Sequence, residues 1–398
     1  MTTTIELNVS DRVPALLDRL DEIYPLLQAE AADGERLRRP TPSVQQALRD
    51  SGIFRLMVPT SLGGFEASPI QVLEVMEKLA YADASLGWLV RALASETANA
   101  ATYLGQEAVD ELFGDDRFPL VAGQSTGFTG AAVREVDGLR VSGTWKFAPG
   151  LSMATHVDLA VTVEGTGEEL VCLVPRDDLI ISDNWETLGL RATASLDYEA
   201  KDVFVPNRFV FHVDSDNAER GGVLNRLSPA LMAGLNQAAW SQGVGRRMLD
   251  ELRSLTQKRA ATDAPVTSDE FFAEFARHYS HVRGTMALLR EIWNSNQDTL
   301  VAGEELDNVQ ETMTRLSSAL ATRTALEISQ LVHRFAGAHV LRNGTLQRFF
   351  RDSHAGTQNR GTAHIVTQQC GKMLSGTLPE GSHWGFFDLV VPEASVSN

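Results

Sequence analysis

Residues 118–128, FPLVAGQSTGF, mark the point where the chain changes from a helical pattern to a β pattern. Before them, apolar residues recur at spacings of three and four, as in residues 13–39 and 68–104. From residue 118 onward, β-branched residues alternate with polar ones, and glycine-containing turns follow at short intervals. The sequence therefore predicts an N-terminal helical domain over residues 1–117, followed by a small antiparallel β domain over residues 118–215.

Three segments within the β domain carry strand or hairpin signals. Residues 133–147 alternate on both sides of Asp137-Gly138, a dipeptide typical of tight hairpin turns. Residues 158–175 show the same arrangement around Gly165-Thr166-Gly167, and residues 194–211 form a third strand region. These turns predict that each strand pairs with the strand that precedes or follows it in the sequence.

Beyond residue 222 the helical pattern returns. Long amphipathic segments cover residues 235–263, 269–295 and 307–341, and the polar dodecamer at 351–362 introduces a fourth helix. We expect a four-helix bundle in a C-terminal domain over residues 216–398. The chain is thus predicted to be an α+β protein in the order helices, β domain, helices.

Composition excludes several classes of protein. The chain has 398 residues, a formal net charge of −17 at pH 7 and two cysteines. Dispersed lysines and arginines on so acidic a chain argue against nucleic-acid binding, and no apolar run approaches the roughly 18 residues of a membrane span. Two cysteines give no disulfide framework. We therefore expect a cytoplasmic protein with no nucleic-acid or membrane partner.

Two candidate motifs have structural interpretations. His278 and His281 lie three residues apart on a predicted helix, but no Glu-x-x-His accompanies them. We interpret them as surface histidines and expect no metal site. GVGRRM, residues 243–248, lies inside a helical pattern, which indicates helix packing rather than a dinucleotide-binding turn. No Gly-x-Ser-x-Gly elbow or Walker-type loop occurs.

Residues 144–150, TWKFAPG, allow two interpretations. A tryptophan and a phenylalanine alternate at a strand end before Pro-Gly, which could present a flat apolar edge to an aromatic cofactor. Ordinary core aromatics give the same pattern. The dodecamer is equally open, because Arg351 and Asp352 could form an ion pair that fixes a helix.

The order of elements and several segments together resemble the acyl-CoA dehydrogenase superfamily over nearly the whole chain. The densest match, HRFAGAHVLRNGTLQRFFRDSHAGTQNRGT at 333–362, keeps the spacing of that family's glycine pair, its Arg-Asp and the place of its closing Glu-Gly-Thr. STGFTGAAV at 125–133 and TWKFAPG resemble its first and second flavin motifs, and residues 186–206 resemble the segment that leaves its β domain. The resemblance implies an acyl-CoA dehydrogenase-like fold.

The resemblance also implies a set of flavin-binding residues. Ser125 would lie near the pyrimidine edge of the flavin, with Trp145 and Phe147 along its ring face and N5 side. Arg259 matches an arginine that meets the cofactor pyrophosphate of a neighbouring subunit. His333, with Gly337, matches the stretch that holds the adenylate end. Flavin bound at subunit interfaces, in a homotetramer, is what this resemblance implies.

Arg360 stands where the superfamily places its catalytic base. Dehydrogenation of an acyl thioester needs a carboxylate to remove a proton beside the carbonyl, and an always protonated guanidinium cannot do so. No acid occupies the alternative position near residue 234. Thr362, which closes the same motif, is predicted to bind the cofactor.

Residues 35–69, 82–90 and 346–356 resemble the flavin-dependent monooxygenase branch of the superfamily, the two-component (group D) hydroxylases. The resemblance implies reduced FAD, with FMN possible, supplied by a separate NAD(P)H flavin reductase, together with O2. In that branch oxygen adds to the flavin, and the resulting hydroperoxide hydroxylates or epoxidises a small, electron-rich aromatic substrate such as an indole or a phenol. The missing nicotinamide fingerprint agrees with a separate reductase.

The chain departs from that branch at three donor positions. Ala148 and Pro149 stand where a serine usually precedes the glycine of the second motif, and Asn359 stands where a histidine is usual. A further histidine of the branch would fall near Ser95 and Glu96. The hydrogen-bond donors around the flavin are therefore expected to differ from the usual set.

We predict Arg360, Asn359 and His354 as catalytic residues, the last because it matches a histidine of some members. The alternative for Arg360 is a structural pairing with a carboxylate or with a phosphate of the cofactor. The alternatives for the whole protein are an N-oxygenase of an amine, an acyl-CoA dehydrogenase with a relocated base, and a binding homologue without catalysis.

Overall fold

A computed structural model describes residues 9–213, 218–386 and 388–392, and its described residues form two compact units. The first unit contains the residues up to Ala67 together with Ser85–Arg226. The second contains Ser68–Ala84 and the residues from Leu227 onward. The predicted order of helices, sheet and helices is confirmed, while the domain bounds 1–117, 118–215 and 216–398 stay a prediction.

The described residues of the first unit form four α-helices: α1 Val9–Leu37, α2 Pro42–Ser51, α4 Ala84–Tyr103, whose first residue lies in the second unit, and α5 Gln106–Phe113. Local signals set their ends. Helix α2 begins after Thr41, whose hydroxyl accepts the Val44 N–H at 3.3 Å, and it is terminated by the following residue, Gly52, which has a φ of 78°.

A single mixed sheet forms the centre of the first unit. Its strands are β1 Val121–Gln124, β2 Gly130–Glu135, β3 Gly138–Ala148, β4 His156–Val163, β5 Glu169–Pro175, β6 Ile180–Ser182, β7 Leu196–Pro206 and β8 Val210–Phe211. The order across the sheet is β6-β7-β3-β2-β4-β5-β8, and β1 also pairs with β4. Most pairs are antiparallel, as predicted, but β1 and β2 both run parallel to β4.

Both predicted hairpins are confirmed. Strands β2 and β3 pair across a turn at Val136-Asp137, one residue earlier than the predicted Asp137-Gly138, because Gly138 already belongs to β3 opposite Glu135. Strands β4 and β5 pair across Gly165 and Gly167, which have φ values of 81° and 73°. In the second hairpin, the glycines that the sequence displays in the turn therefore help to fix the register of β4 against β5.

Ala194 adopts a left-handed conformation just before β7, with φ 47° and ψ 48°. This conformation costs a non-glycine residue about 1–2 kcal/mol, so we predict that Ala194→Gly raises the free energy of unfolding by about 0.5–1 kcal/mol. Urea denaturation measures the change. Ala200→Gly is the matched control, since Ala194 and Ala200 are both 2% exposed but Ala200 lies inside β7. This control variant should not be stabilised. A loss of stability in both variants would contradict the strain at Ala194.

The second unit is helical. It contains α3 Pro69–Ala82, α6 Pro229–Arg259, α7 Asp269–Val301, α8 Asn308–Phe335, α9 Thr345–Gly356 and α10 His364–Leu374, followed by the short strands β9 His383–Trp384 and β10 Leu389–Val390. Helix α6 packs against α3, α7 and α8, and α10 packs against α8. The GVGRRM stretch lies inside α6, which confirms its helical interpretation.

One prediction in this unit is wrong in part. His281 is exposed, but His278 is only 3% exposed, and its Nδ1 lies 2.7 Å from the Glu274 carbonyl oxygen one turn earlier on α7. The ring can be buried because the carbonyl satisfies its N–H. In the described part of the chain, no group of three or more His, Cys, Asp or Glu side chains could hold a metal ion, and no helix is long and apolar enough to span a membrane.

Candidate functional site

A pocket in the second unit surrounds the end of the polar dodecamer. Helix α9 ends at Gly356, and Asn359 then caps a short 3-10 turn formed by residues 360–362, its Oδ1 accepting the Gly361 N–H at 2.9 Å. This turn forms one wall of a pocket with a cavity volume of about 90 Å³. The other walls come from α6, α8, α10 and the C-terminal segment; the lining residues are Ala230, Leu231, Ala233, Gly234, Thr314, Arg315, Ser318, Asn359, Arg360, Gly361, Thr362, Val366 and Phe386.

Two guanidinium groups and no carboxylate line this pocket among the residues that the structure describes. The Arg360 side chain is 75% exposed, and its Nη2 lies 3.6 Å from Asp388 Oδ2 outside the lining. Pairing with a carboxylate, one of the alternatives for this residue, is therefore present. A pair this exposed contributes little to stability, about 0–1 kcal/mol.

Arg315 is the buried cation of the same pocket. It is 7% exposed, its Nη1 donates to Glu311 Oε2 at 2.6 Å, and its guanidinium lies 4.5 Å from the centre of the Trp384 ring. Burial lowers the pKa of Arg315, and Glu311 opposes that shift. Trp384 in turn donates its indole N–H to Thr312 Oγ1 at 2.7 Å. The C-terminal segment is thus attached to α8 through these contacts.

His354 does not line this pocket. It lies on α9, where its Nε2 is 3.2 Å from Ser329 Oγ and its ring meets Phe350 edge-on at 4.6 Å. Phe350 also stacks on His333, with ring centres 5.8 Å apart. Partial burial, together with the neighbouring His333, lowers the pKa of His354. Of the three predicted catalytic residues, the structure brings Asn359 and Arg360 together and leaves His354 in this aromatic row.

The remaining predicted cofactor residues of the second unit lie at helix ends. Arg259 is the last residue of α6 and is exposed. His333 lies near the end of α8 and is also exposed. Gly337 follows α8 with a φ of 56°, and Thr362 lies in the pocket wall, its hydroxyl donating to the Asn359 carbonyl at 3.4 Å. Exposed groups of this kind are available to a ligand or to a second subunit.

The first unit contains a buried polar cluster around Ser125. Ser125, 4% exposed, directly follows β1, and Asn99 on α4 donates to its Oγ at 3.4 Å and to Glu96 Oε2 at 3.1 Å. Glu96 also accepts hydrogen bonds from the side chain and the backbone of Ser125. Because Glu96 and Asn99 are three residues apart on α4, they share the helix face that meets β1.

Asp158 on β4 completes this cluster. It is 0% exposed, and its carboxyl group is hydrogen-bonded to that of Glu96. Burial, and then the charge of Glu96, hold the pKa of Asp158 well above its ordinary value. Burial also raises the pKa of Glu96, while Ser125 and Asn99 act in the opposite direction.

Trp145 and Phe147 lie two residues apart on β3 in very different surroundings. Trp145 is 2% exposed, stacks on Tyr198 at 5.5 Å and donates its indole N–H to the Ala160 carbonyl at 3.0 Å. Phe147 is 58% exposed with a φ of 64°, and its ring meets the edge of Trp185 at 6.0 Å. The cofactor roles of both residues stay a prediction.

Glu96 and Asp158 were missed as a functional pair by reasoning from the sequence. In the sequence, Glu96 stands near the place of a histidine of the monooxygenase branch, and Asp158 begins the strand segment 158–175. A signal was nevertheless present, since Asp158 interrupts the apolar strand HVDLAVTV at 156–163. An ionisable residue inside a buried strand needs a partner, although the sequence does not name it.

The donor and acceptor set of the first unit fits a flavin. An isoalloxazine offers a flat apolar face and a pyrimidine edge with both donors and acceptors. Phe147, with Trp185 beside it, leaves an aromatic face accessible, and the Ser125 cluster offers hydroxyl, amide and carboxyl groups.

Two models of one family match the chain. The acyl-CoA dehydrogenase N-terminal domain matches residues 21–113, and the acyl-CoA dehydrogenase C-terminal domain matches residues 235–366. Together these matches cover more than half of the chain. Arg360 lies within the second match, and Glu96 lies within the first.

Two relatives with assigned activities align over most of their length. The chain is 29% identical to the flavin-dependent monooxygenase oxygenase subunit HsaA of Rhodococcus jostii (strain RHA1), over 85% of this chain and 92% of that protein. It is 27% identical to the indole-3-acetate monooxygenase of Pseudomonas putida, over 92% of this chain and 93% of that protein.

Solved structures show the same fold. The 3-HSA hydroxylase from Rhodococcus sp. RHA1 superimposes with a TM-score of 0.85 at 27% identity, covering 91% of this chain and 97% of that one. XiaF from Streptomyces sp., in complex with FADH2 and glycerol, superimposes with a TM-score of 0.83 at 23% identity, covering 92% of this chain and 96% of that one.

Proposed function

Because the chain belongs to the acyl-CoA dehydrogenase superfamily, we propose that it is the oxygenase component of a two-component flavin-dependent monooxygenase. It uses reduced flavin and O2 to hydroxylate or epoxidise a small, electron-rich aromatic ring such as an indole or a phenol. Relatives named as monooxygenases, among them an oxygenase subunit, support this assignment. A separate reductase and a homotetrameric, cytoplasmic enzyme are part of the same proposal.

The observation that carries the proposal is the chemistry of the pocket at residues 359–362. An acyl-CoA dehydrogenase needs a carboxylate base there, and the described lining offers Arg315 and Arg360 but no carboxylate. A guanidinium cannot accept a proton from carbon at neutral pH. The hydrogen-bond donors and the partly apolar wall of this pocket instead suit a substrate that the protein orients but does not deprotonate.

The roles that we propose for individual residues follow from their positions. Bound reduced flavin supplies the activation of oxygen, which no side chain can provide. In the first unit, Ser125 would hold the pyrimidine edge, while Trp145 and Phe147 would border the ring. Arg259, His333, Gly337 and Thr362 would hold the rest of the cofactor. Arg360 and Asn359 would orient the substrate, and His354 would position α9 through Ser329.

Reduced flavin, O2 and a panel of aromatic compounds provide the test. The protein should bind reduced FAD or FMN, consume O2 and, with 18O2, give a product that carries the label by mass spectrometry. Amines converted to labelled N-oxygenated products would favour the N-oxygenase. Reduction of bound flavin by acyl-CoA would favour the dehydrogenase. If the protein does not bind reduced flavin, the binding homologue without catalysis is the one alternative that remains.

Arg360→Glu is expected to lower the rate of product formation roughly 10–100-fold, because hydrogen bonds from a charged donor contribute about 1.5–3 kcal/mol. Stability should change by less than about 0.5 kcal/mol, since the pair with Asp388 is exposed. Steady-state product analysis and urea denaturation measure the two effects.

Arg323→Glu is the matched control. Arg323 is also 75% exposed and also pairs with a carboxylate, Glu327, at 3.0 Å, but it does not line the pocket. Its charge reversal should leave product formation close to the wild-type rate. Equal rates for wild type, Arg360→Glu and Arg323→Glu would remove Arg360 from substrate orientation.

A further inference from the structure

The contact between Glu96 and Asp158 has an unusual requirement. Ionised carboxyl groups are acceptors only, so two of them cannot hydrogen-bond to each other without a proton. Neither oxygen of Asp158 receives an amide or hydroxyl donor among the described residues, and both are buried. One of the two carboxyl groups must therefore carry a proton, which it donates in the hydrogen bond to the other.

The surroundings favour keeping this proton. The titratable groups that face Asp158 are Glu96 from α4, Tyr198 from β7 and Cys172 from β5, and none of them is a cation. The Tyr198 hydroxyl donates at 3.2 Å to the backbone carbonyl of Asp158, not to its carboxylate. Two adjacent negative charges in such a place would repel strongly, so a single negative charge on the pair is favoured.

The two members differ in access. Asp158 is fully buried, whereas Glu96 as a residue is partly exposed. Glu96 also contacts Ser125 and Asn99, so its position is fixed from two sides. A proton shared by the pair can consequently reach a ligand through the Glu96 end, while Asp158 acts as the buried store.

We propose that Glu96 and Asp158 share one proton and that Glu96 donates it during the oxygenation reaction, which makes the pair a built-in acid of this enzyme. This inference rests on the proposed function. The overall reaction of anionic reduced flavin, O2 and an aromatic substrate gives oxidised flavin, hydroxylated product and water, and it consumes one proton. Glu96 supplies this proton as the pair becomes doubly ionised, and solvent restores the proton afterwards.

The first test needs no flavin. Infrared spectra of the wild-type protein at neutral pH should show an un-ionised carboxyl group whose band shifts in D2O. The double variant Glu96→Gln, Asp158→Asn keeps the shape of both side chains and should lack this band. Glu107→Gln on α5 is the control and should keep it. Identical bands in wild type and double variant would overturn the shared proton.

Stability against pH gives a second flavin-free measurement. Raised pKa values in the folded state mean that folding retains a proton that the unfolded chain releases. The free energy of unfolding of wild type should therefore fall as pH rises from the ordinary carboxyl range through the raised pKa. The double variant should lack this part of the slope, and an unchanged slope would count against the pair.

Activity then separates donation from mere packing. Glu96→Gln should lower product formation at least tenfold at neutral pH while flavin affinity stays within a few-fold of wild type. Asp158→Asn removes the carboxyl group that shares the proton with Glu96, so the pH profile of product formation should differ from that of wild type. Wild-type rates and profiles in both variants would exclude donation by Glu96.

The two proposals can fail independently. Wild-type protein that makes no oxygenated product from any aromatic compound, yet shows the carboxyl band, would refute the proposed function and the donation step but leave the shared proton standing. Wild-type protein that makes product while Glu96→Gln does so equally well would refute donation alone.

Discussion

Replacing Trp240 by alanine is expected to lower the free energy of unfolding by about 3–5 kcal/mol. Trp240 lies on α6, is 0% exposed and is among the largest fully buried side chains of the described chain. Its indole N–H donates to the Ala84 carbonyl at 2.8 Å, so the alanine variant loses a donor as well as a large volume. Denaturant titration followed by far-UV circular dichroism measures the loss.

Gly356 provides the control for this prediction. A Cβ added at Gly356 would lie 2.1 Å from Trp240 Cη2, so the end of α9 can approach α6 only without a side chain. Gly356→Ala should therefore cost about 1–3 kcal/mol by overpacking. In a Trp240→Phe background that cost should shrink, because the smaller ring leaves room for the methyl group. Strictly additive costs would show that the two residues do not compete for space.

Trp145→Ala is the second large effect, with an expected loss of about 3–5 kcal/mol. The ring stacks on Tyr198 and fills the space beside Gly130 and Gly143, whose added Cβ atoms would lie 2.3 Å and 2.9 Å from indole atoms. Flavin affinity should fall as well, because Trp145 supports the strand end that carries Phe147. Urea denaturation and flavin fluorescence titration measure the two effects.

Phe147→Ala separates these two effects. Because Phe147 is 58% exposed, its removal should change stability by only about 0.5 kcal/mol. An aromatic stacking contact contributes about 0.5–1.5 kcal/mol, so flavin should bind roughly 2–10-fold more weakly. Wild-type flavin affinity in both the Trp145 and the Phe147 variants would refute the placement of these residues at the flavin ring.

Periodicity and turn residues were enough to predict the architecture. The three-and-four spacing of apolar residues gave the long helices α6, α7 and α8, and the hairpin of β4 and β5 followed from Gly165 and Gly167. These signals are local, because a helix face or a tight turn is specified by residues near in sequence. The parallel pairing of β1 and β2 with β4 has no such signal, since it joins strands that are distant in sequence.

The candidate site was predictable only where single motifs carry it. The stretch that ends in Arg360, Gly361 and Thr362 could be identified from its spacing, and the structure does place these residues together in a pocket. The pairing of Glu96 with Asp158 depends instead on the packing of α4 against the sheet. Burial of His278 likewise depends on a carbonyl that no sequence pattern marks.

Phe386 lines the pocket from outside the helical scaffold, and the nearby Trp384 anchors the same segment. Both follow α10, in a segment held to α8 chiefly by Arg315 and Thr312. Segments outside regular helices accept substitutions and length changes more readily than packed helices do. Evolution could accordingly retune which ring the enzyme accepts by altering its tail, while the machinery for oxygen chemistry is inherited unchanged.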